Sequence, residues 1–575
     1  MNCVQPMERT EQTFSSWDGA KLFYRAWTPA RASGKALVLF HRGHEHSGRW
    51  QQTVDSLGLN DVAVFAWDAR GHGRSPGERG AAKSLHDLVK DVDCFARHIR
   101  DTHGIPIENM IMVAHSLAAV TVTAWIHDYA PPVRGMILAT AAFRVKLYVP
   151  FAISFLRILR PKFVNSYVRS KMLTHDAEEA ARYDSDPLIF RQIAVNLLLD
   201  LHDTAKRVVA DAGAIQTPTM MIAAGRDWVV SLEEQRKFFD RLSSTHKRFE
   251  ILPHAYHAIF HETNRSEVVE LVRQFVIERF STSTPTASLL NADESSFTAA
   301  EYEQLKNNGS VKFALARAGL TIAGRLSRGI KIGWDNGFDS GLSLDYVYEN
   351  RPQGSFGIGR LIDKSYLNSI GWRGIRQRRA NLEKTLRHLI RTLRGECRPV
   401  RILDVAAGVG RYVIETIRTQ PGVPITATLC DWKQENVDAA GALADELNLD
   451  RAILAKQNDA FDPESLKNIR PRATIGIVSG LYELFPSNAA VLNSLRGLAD
   501  AIAPGGYLIY TNQPWHPQLE FIAHVLRNHR GQPWIMRRRN TAEIDELVRT
   551  AGFEKMDMEI DEWGMFTVSV ARRVS

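Results

Sequence analysis

Short apolar runs alternate with amphipathic stretches through the first half of the chain. Ala36–Phe40, Val62–Trp67, Met110–Ala114, Gly135–Ala139, Thr219–Ala223 and Arg248–Leu252 read as strands, with helical patterns between them. Six such runs predict a mostly parallel sheet wrapped by helices. Residues 143–210 break that rhythm with helix-like, basic sequence and read as an inserted cap. Residues 281–300 are rich in small and hydroxyl side chains, with a proline among them, and read as a linker. A helical stretch rich in Gly and Arg follows over 301–394. A second α/β alternation then runs over 395–575, with strands expected at Arg401–Val405, Ile425–Cys430, Ile453–Lys456, Thr474–Ser479 and Tyr507–Thr511.

Length agrees with two cores: 575 residues exceed what one usually supports. With 45% apolar and 24% charged residues, the chain is neither disordered nor fibrous. The net charge of +8 is too modest and dispersed to imply nucleic acid, and suits an anionic lipid or substrate equally well. Cys3, Cys94, Cys397 and Cys430 show no metal-binding spacing, and no metal is expected. Met1 to Thr13 is polar, and no apolar run approaches the ~20 residues that span a bilayer. A cytoplasmic protein is expected, with peripheral contact at the inner face of the membrane left open.

Chemistry gathers at three strand ends. Met110-Ile-Met-Val-Ala-His-Ser-Leu-Ala-Ala119 is an apolar strand closing on a serine between small residues. A sharp strand-to-helix turn needs small neighbours, exposes the serine oxygen and aims the next backbone N–H at a developing oxyanion. By itself such a segment is more often just a helix start. Asp227 lies in Gly-Arg-Asp after one strand, and His257 in Pro-His-Ala-Tyr-His after another. Ser, Asp, His is the order in which such a fold supplies nucleophile, orienting acid and base. His254 and His261 are alternatives for the base.

Phe40-His-Arg-Gly-His-Glu-His-Ser-Gly-Arg-Trp50 and Ala66-Trp-Asp-Ala-Arg-Gly-His-Gly-Arg-Ser-Pro-Gly-Glu-Arg79 resemble the monoacylglycerol lipase and lysophospholipase group of α/β hydrolases, of the serine aminopeptidase type. The resemblance covers residues 14–280. It implies Ser116 as nucleophile, Asp227 and His257 as its triad partners, and the N–H groups of Gly43 and Leu117 as the oxyanion hole. The family's His-Gly-x-Gly stands here as His41-Arg42-Gly43-His44, and both elbow glycines are alanines, Ala114 and Ala118. In the cap, Lys146 to Arg160 mixes apolar and basic residues at helical spacing. This reads as a lipid-facing lid or as a helix packed on the core.

In the second half, Val400-Arg-Ile-Leu-Asp-Val-Ala-Ala-Gly-Val-Gly-Arg411 is a strand running into a small-residue loop and a helix, where a backbone can approach a ligand closely. The next strand ends in Cys430-Asp431-Trp432, where an acid suits ribose hydroxyls. Gln457-Asn-Asp-Ala-Phe461 follows the third strand. This ordered set resembles the class I S-adenosylmethionine-dependent methyltransferases, with their Rossmann-like fold. The resemblance implies that Asp404, Ala406, Gly408 and Gly410 approach the cofactor's methionine end, that Asp431 takes the ribose, and that Asp459, Ala460 and Phe461 take the adenine. An NAD-binding domain is disfavoured because Arg-Tyr-Val follows Gly410. Tyr482, Glu483, Asn512, Gln513 and His516 are candidates for the methyl acceptor's side. Arg351 to Arg360 and Trp372 to Arg379 could cradle a phosphate or simply be a solvated helix start.

Together these readings predict a bifunctional enzyme of lipid or headgroup metabolism: a serine ester hydrolase and a methyltransferase. Its expected ligands are a lipid or small ester and S-adenosylmethionine, with the methyl acceptor unassigned and no nucleic acid. One alternative is a methyltransferase whose hydrolase-fold half only binds substrate, suggested by Arg42, Ala114 and Ala118. Another is a nucleic-acid methyltransferase, disfavoured because no long face interleaves aromatic and basic residues.

Overall fold

The apolar runs of the first half are strands that helices cover. The computed structural model describes residues 7–574 apart from 32–33, 150, 283–287, 308 and 421. Its first unit, Met1–Thr286, runs β1 (Glu8–Ser15), β2 (Lys21–Thr28), β3 (Ala36–Phe40), α1 (Gln51–Leu57), β4 (Ala63–Trp67), α2 (Leu85–His103), β5 (Met110–His115), α3 (Leu117–Tyr129) and β6 (Gly135–Ala139). It continues through α4 (Ala152–Leu159), β7 (Phe163–Asn165), α5 (Ala177–Ser185), β8 (Gln192–Ala194), α6 (Val195–Ala210), β9 (Thr219–Ala224), α7 (Leu232–Arg241), β10 (Lys247–Leu252) and α8 (Arg265–Ser281). The main sheet has the order β1-β2-β4-β3-β5-β6-β9-β10. From β4 to β10 neighbours are parallel, whereas β1 and β2 pair antiparallel.

Strands β3, β4, β5 and β6 are buried at every position. Leu37, Leu39, Val113, Ile137 and Ile222 pack with Val268, Val272 and Val276 of α8 into one core. This is the α/β-hydrolase architecture that the resemblance implies. The segment expected as a cap, 143–210, lies between β6 and β9 and holds α4 to α6 with the β7–β8 ribbon.

The second unit, Ala287–Ser575, begins with α9 (Ala292–Ser295), α10 (Phe297–Leu305), α11 (Val311–Gly324), α12 (Arg328–Asn336), α13 (Gly341–Glu349), α14 (Phe356–Leu367) and α15 (Ile370–Gly395). There follow β11 (Val400–Val405), α16 (Arg411–Arg418), β12 (Ile425–Asp431), α17 (Gln434–Glu446), β13 (Ile453–Gln457), α18 (Pro463–Lys467), β14 (Ala473–Val478), α19 (Asn488–Ala501), β15 (Ile502–Asn512), α20 (Leu519–Val525), α21 (Thr541–Thr550), β16 (Phe553–Ile560) and β17 (Thr567–Arg573). Its sheet order is β13-β12-β11-β14-β15-β17-β16. The chain winds outward from β11 to β13, then returns to β14 on the other side of β11. The crevice beyond the carboxyl ends of β11 and β14 is therefore the switch point where such sheets bind ligands.

Part of the stretch expected as a linker is helical, since α9 and the first turn of α10 fall inside 281–300. Ser296 caps α10 by accepting from the Ala299 N–H. Residues 283–287 of that stretch, residues 1–6 with Cys3, and Pro150 of the cap lie outside the described residues. The helices over 301–394 belong to the same unit as the second sheet. Phe313, Ile330, Phe338 and Trp372 share a core with Trp534 and Phe566. Among the described residues no helix is long and apolar enough to cross a membrane.

Candidate functional site

The β5–α3 turn sets the first site. Ser116 has φ 59° and ψ −114°, in the left-handed half of backbone space where a non-glycine residue is strained by ~1–3 kcal/mol. Its N–H donates to the Ala139 carbonyl (2.9 Å) and its carbonyl accepts from the Ala142 N–H (3.1 Å), which fixes the strained turn. Ala114 and Ala118 are both buried, so a methyl group fits where glycine was expected. His257 Nδ1 donates to Asp227 Oδ2 at 2.8 Å, which leaves Nε2 to accept the Ser116 hydroxyl, also at 2.8 Å. Asp227 is held in turn through Oδ1, which accepts from the N–H groups of Val229 (2.7 Å) and Val230 (2.9 Å). The His257 carbonyl accepts from His115 Nε2 (3.0 Å) and the Thr140 hydroxyl (3.1 Å).

Two loops must touch for this relay to form. A Cβ at Gly225 would lie 2.5 Å from the Pro253 carbonyl oxygen, so only glycine lets the Asp227 loop meet the His257 loop. Of the alternative bases, His254 is exposed. His261 lies 3.6 Å from Glu179, and burial pushes its pKa down to about 3.

Gly43 and Leu117 line the same cavity as Ser116 and His257. Leu117 opens α3, so its N–H is one of the helix-start donors without an intrahelical acceptor. The two departures beside Gly43 are accommodated differently. His44 takes the left-handed φ of 71° that glycine would supply. Arg42 is drawn into a buried ionic network that no local sequence pattern announces. Its Nη2 donates to Glu45 (2.9 Å) and its guanidinium lies over the Tyr183 ring. Arg49 joins Glu45 (3.5 Å) to Glu179 (3.0 Å). Burial alone would raise the Glu45 carboxyl, but Arg42, His261 and Arg49 hold it well below the usual carboxylate range. The cavity above Ser116, about 490 Å³, is walled by apolar residues of the insertion, among them Leu147, Phe155, Leu156 and Leu201.

The second site lies at the switch point of the other sheet, a cavity of about 620 Å³. Ala406, Gly408, Gly410, Asp431, Asp459, Ala460 and Phe461 all line it. Gly410 has φ 66° and a Cβ there would meet Leu429 at 2.6 Å, so the loop needs glycine. Asp431 ties the wall together: Oδ2 accepts from the Gly408 N–H, and Oδ1 from Lys433 N–H and Asn436 Nδ2, each at 2.9 Å. Asp459 accepts from the Phe461 N–H (2.9 Å), and the Phe461 ring packs against Phe485.

Asp404 differs from its expected place. It sits at the end of β11 beneath the loop, off the cavity wall, fully buried, with neither carboxylate oxygen in hydrogen-bonding geometry. Burial, aided by the nearby Asp431, pushes its pKa up to about 8 against the pull of the neighbouring Tyr412 hydroxyl. Asn458, which sequence reasoning passed over for its neighbour Asp459, lines the cavity with both side-chain polar atoms buried and unpartnered.

A third cavity, about 380 Å³, adjoins the second and shares Asp339, Leu344, Arg378, Gly480 and Leu484 with it. Of the acceptor-side candidates, Glu483, Gln513 and His516 line this space. Tyr482 and Asn512 do not: Tyr482 pairs with Ser494 (3.0 Å) and Asn512 with the Arg539 carbonyl (2.8 Å). His516 Nδ1 accepts from the Gln518 N–H (3.1 Å), so its proton sits on Nε2, and burial pushes its pKa down to about 4. Of the Arg-rich segments, Arg351 and Arg360 are exposed, whereas Arg378 is buried between the two cavities, 3.5 Å from Glu483.

Comparison with known proteins assigns both halves. Residues 272–573 match a family described as "Putative methyltransferase", and residues 31–264 match the serine aminopeptidase S33 family. The chain is 46% identical to the uncharacterized protein YnbC of Escherichia coli K12 over 98% of both chains. It is 24% identical to a monoacylglycerol lipase of Mycolicibacterium smegmatis, over 47% of this chain and 97% of that one. The crystal structure of Paleococcus ferrophilus monoacylglycerol lipase aligns with 48% of this chain and 100% of that chain, at 22% identity and a TM-score of 0.41.

Proposed function

Because this chain belongs to the methyltransferase family matched over residues 272–573 and carries a monoglyceride-lipase-like hydrolase half, we propose that it is a two-site enzyme of lipid metabolism. The hydrolase unit cleaves a carboxylic ester of an acylglycerol or lysophospholipid. The second unit transfers a methyl group from S-adenosylmethionine to an oxygen or nitrogen of an amphiphilic acceptor. The observation that carries this reading is the Ser116–His257–Asp227 relay on the floor of an apolar cavity.

In the hydrolase, Ser116 Oγ attacks the ester carbonyl carbon as His257 Nε2 takes its proton. The Gly43 and Leu117 N–H groups hold the oxyanion. Collapse expels the alcohol, which receives the proton from His257. Water, deprotonated by His257 in turn, then releases the acid from the acyl-serine. Asp227 stays ionised throughout and keeps the imidazole proton on Nδ1.

The residues of the second cavity fit S-adenosylmethionine. Asp431 uses three of roughly four acceptor sites on its carboxylate within the wall, which leaves capacity for a ribose hydroxyl. The unpartnered Asn458 amide offers both a donor and an acceptor to a purine edge. When bound, the cofactor supplies an electrophilic methyl group. In the adjoining cavity His516 Nε2–H donates a hydrogen bond to the acceptor, and Glu483 receives the proton that the acceptor's nucleophile gives up.

A first experiment incubates full-length protein with a monoacylglycerol and with a serine-directed fluorophosphonate, comparing wild type with Ser116→Ala. Labelling and fatty-acid release in the wild type alone are expected. A wild type that takes no label would instead favour a hydrolase fold that only binds. In parallel, labelled methyl from S-adenosylmethionine is followed into lipid extract dispersed in detergent. Organic-phase label supports a lipid acceptor, and its absence removes it.

A further inference from the structure

Helix α11 is apolar on two sides. Leu320 and Ala323 turn inward and line the acceptor cavity. Val311, Leu315 and Ile322 recur on another stripe and are exposed by 76%, 69% and 64%. A helix apolar all round is normally covered. Helix α14 repeats the arrangement, with Ile362 and Tyr366 toward the cavity while Phe356, Ile358 and Leu361 stand in solvent. Just beyond α11, the Leu326 carbonyl accepts from the N–H of Ser355, the residue that precedes α14 (2.8 Å), which brings the adjoining ends of the two helices together. Ser365, exposed and on the same stripe as Ile358 and Leu361, lines the cavity, so the cavity opens on that face.

The charge around it is predominantly positive, although the exposed Asp335 at the end of α12 pairs with Lys331. Residues 306–334 contain six Lys and Arg and no Asp or Glu. Arg351, Arg360 and Lys364 flank α14 and are exposed. The acid of that helix, Asp363, is buried and accepts from Gly329 N–H (2.8 Å) and Gln353 N–H (2.9 Å) as well as from the Ser327 and Tyr346 hydroxyls. Apolar side chains ringed by cations are complementary to an anionic lipid surface. A second copy of this chain, equally basic at the same face, would be repelled.

We propose that the outer faces of α11 and α14 dock on an anionic bilayer, and that the methyl acceptor is an amphiphile drawn from that bilayer through the mouth at Ser365. The identity of the acceptor rests on the methyl-transfer reading above, whereas the docking does not.

The test floats full-length protein on phosphatidylcholine vesicles with and without phosphatidylglycerol. A Phe155→Ser/Ile158→Ser background removes the apolar α4 face from the measurement. Binding to the anionic vesicles is expected to fall about tenfold or more in Ile322→Ser/Ile358→Ser/Leu361→Ser, and also in Arg360→Glu/Lys364→Glu. Both variants should keep the wild-type circular dichroism. They should also keep methyl transfer to detergent-dispersed lipid while losing transfer to vesicle lipid. Unchanged vesicle binding in both variants overturns the docking, as does a dimer in light scattering that these substitutions dissociate. If even the parent protein transfers no methyl in detergent, the methyl-transfer reading fails, and vesicle binding alone still decides the docking.

Discussion

Arg537, Arg538 and Arg539 stand consecutively in the sequence, and each is 1% exposed. A basic triplet usually marks a solvated or polyanion-binding surface. Here Arg537 pairs with Glu543 and Arg538 with Glu301, while Arg539 donates to the carbonyls of Tyr482 (2.7 Å) and Phe485 (2.8 Å). Their partners lie up to 237 residues away, so nothing local could separate this internal brace from a nucleic-acid patch. Arg42 teaches the same lesson: its departure from glycine is plain in the sequence, but the Glu45 that neutralises it is recognisable only in the fold. Asp404 yields a prediction at this scale. Its carboxyl titrates near 8 when folded, against the ordinary Asp value of 3.8. A raised acid pKa favours the folded state fully below pH ~4, and that contribution is lost progressively as pH climbs toward ~8. The unfolding free energy of the ligand-free protein, from denaturant titration, should therefore fall between pH 5 and 8 by more in the wild type than in Asp404→Asn, by on the order of a few kcal/mol. Parallel pH profiles for the two proteins would refute the buried Asp404 carboxylate as their cause.

At the level of elements, an amphiphilic helix sets the next prediction. Helix α4 exposes Ile158 and Leu159, while Phe155 is both exposed and part of the cavity wall above Ser116. Replacing Phe155 and Ile158 by serine removes apolar surface that a long acyl chain would cover, yet leaves the relay untouched. The specificity constant kcat/KM for a long-chain monoacylglycerol should drop about tenfold while that for a short p-nitrophenyl ester holds. Equal losses on both substrates would mean that α4 supports the fold rather than the acyl chain. The strands that carry chemistry were readable because each is a short apolar run ending in distinctive residues: His115-Ser116 at β5, Asp227 just past β9, Asp431 at β12. β1, β2, β16 and β17 were not anticipated. β1 and β16 expose roughly alternate polar side chains, as in Phe553–Ile560, and offer no continuous apolar run. β2 is buried along six positions but interrupted by Arg25, whose charge meets Glu11 on β1 only once the sheet has formed. The helices α9 and α10 hid within serine- and threonine-rich sequence because those residues, which favour linkers, also cap helices. In the cavity adjoining the second site, Glu483, Gln513 and His516 were legible as residues following β14 and β15, whereas Arg378 lies on α15, more than 100 residues before Glu483.

Taken whole, the molecule divides its apolar interior. One core gathers Leu37, Val113, Ile222 and Val272 in the first unit, and others gather Leu386, Ile402 and Ile477, or Phe313, Trp372 and Trp534, in the second. Binding energy that enters one core need not be shared with the other. At about 100 times its Kd, S-adenosylmethionine should stabilise the unit that holds it by ~2.7 kcal/mol. For a unit of this size that amounts to a rise of about 4 °C in its melting transition. Covalent capture of Ser116 by a fluorophosphonate should shift a different transition. Differential scanning calorimetry of the full chain, with each ligand separately and then with both, distinguishes the cases. Two transitions, each moved by one ligand and by the same amount whether or not the other is present, identify two catalytic units that fold and bind independently. A single transition moved by either ligand, or a cofactor shift that depends on the state of Ser116, would show that binding at one site is coupled to the other. The two units would then share folding or binding free energy rather than act as separate modules carried on one chain.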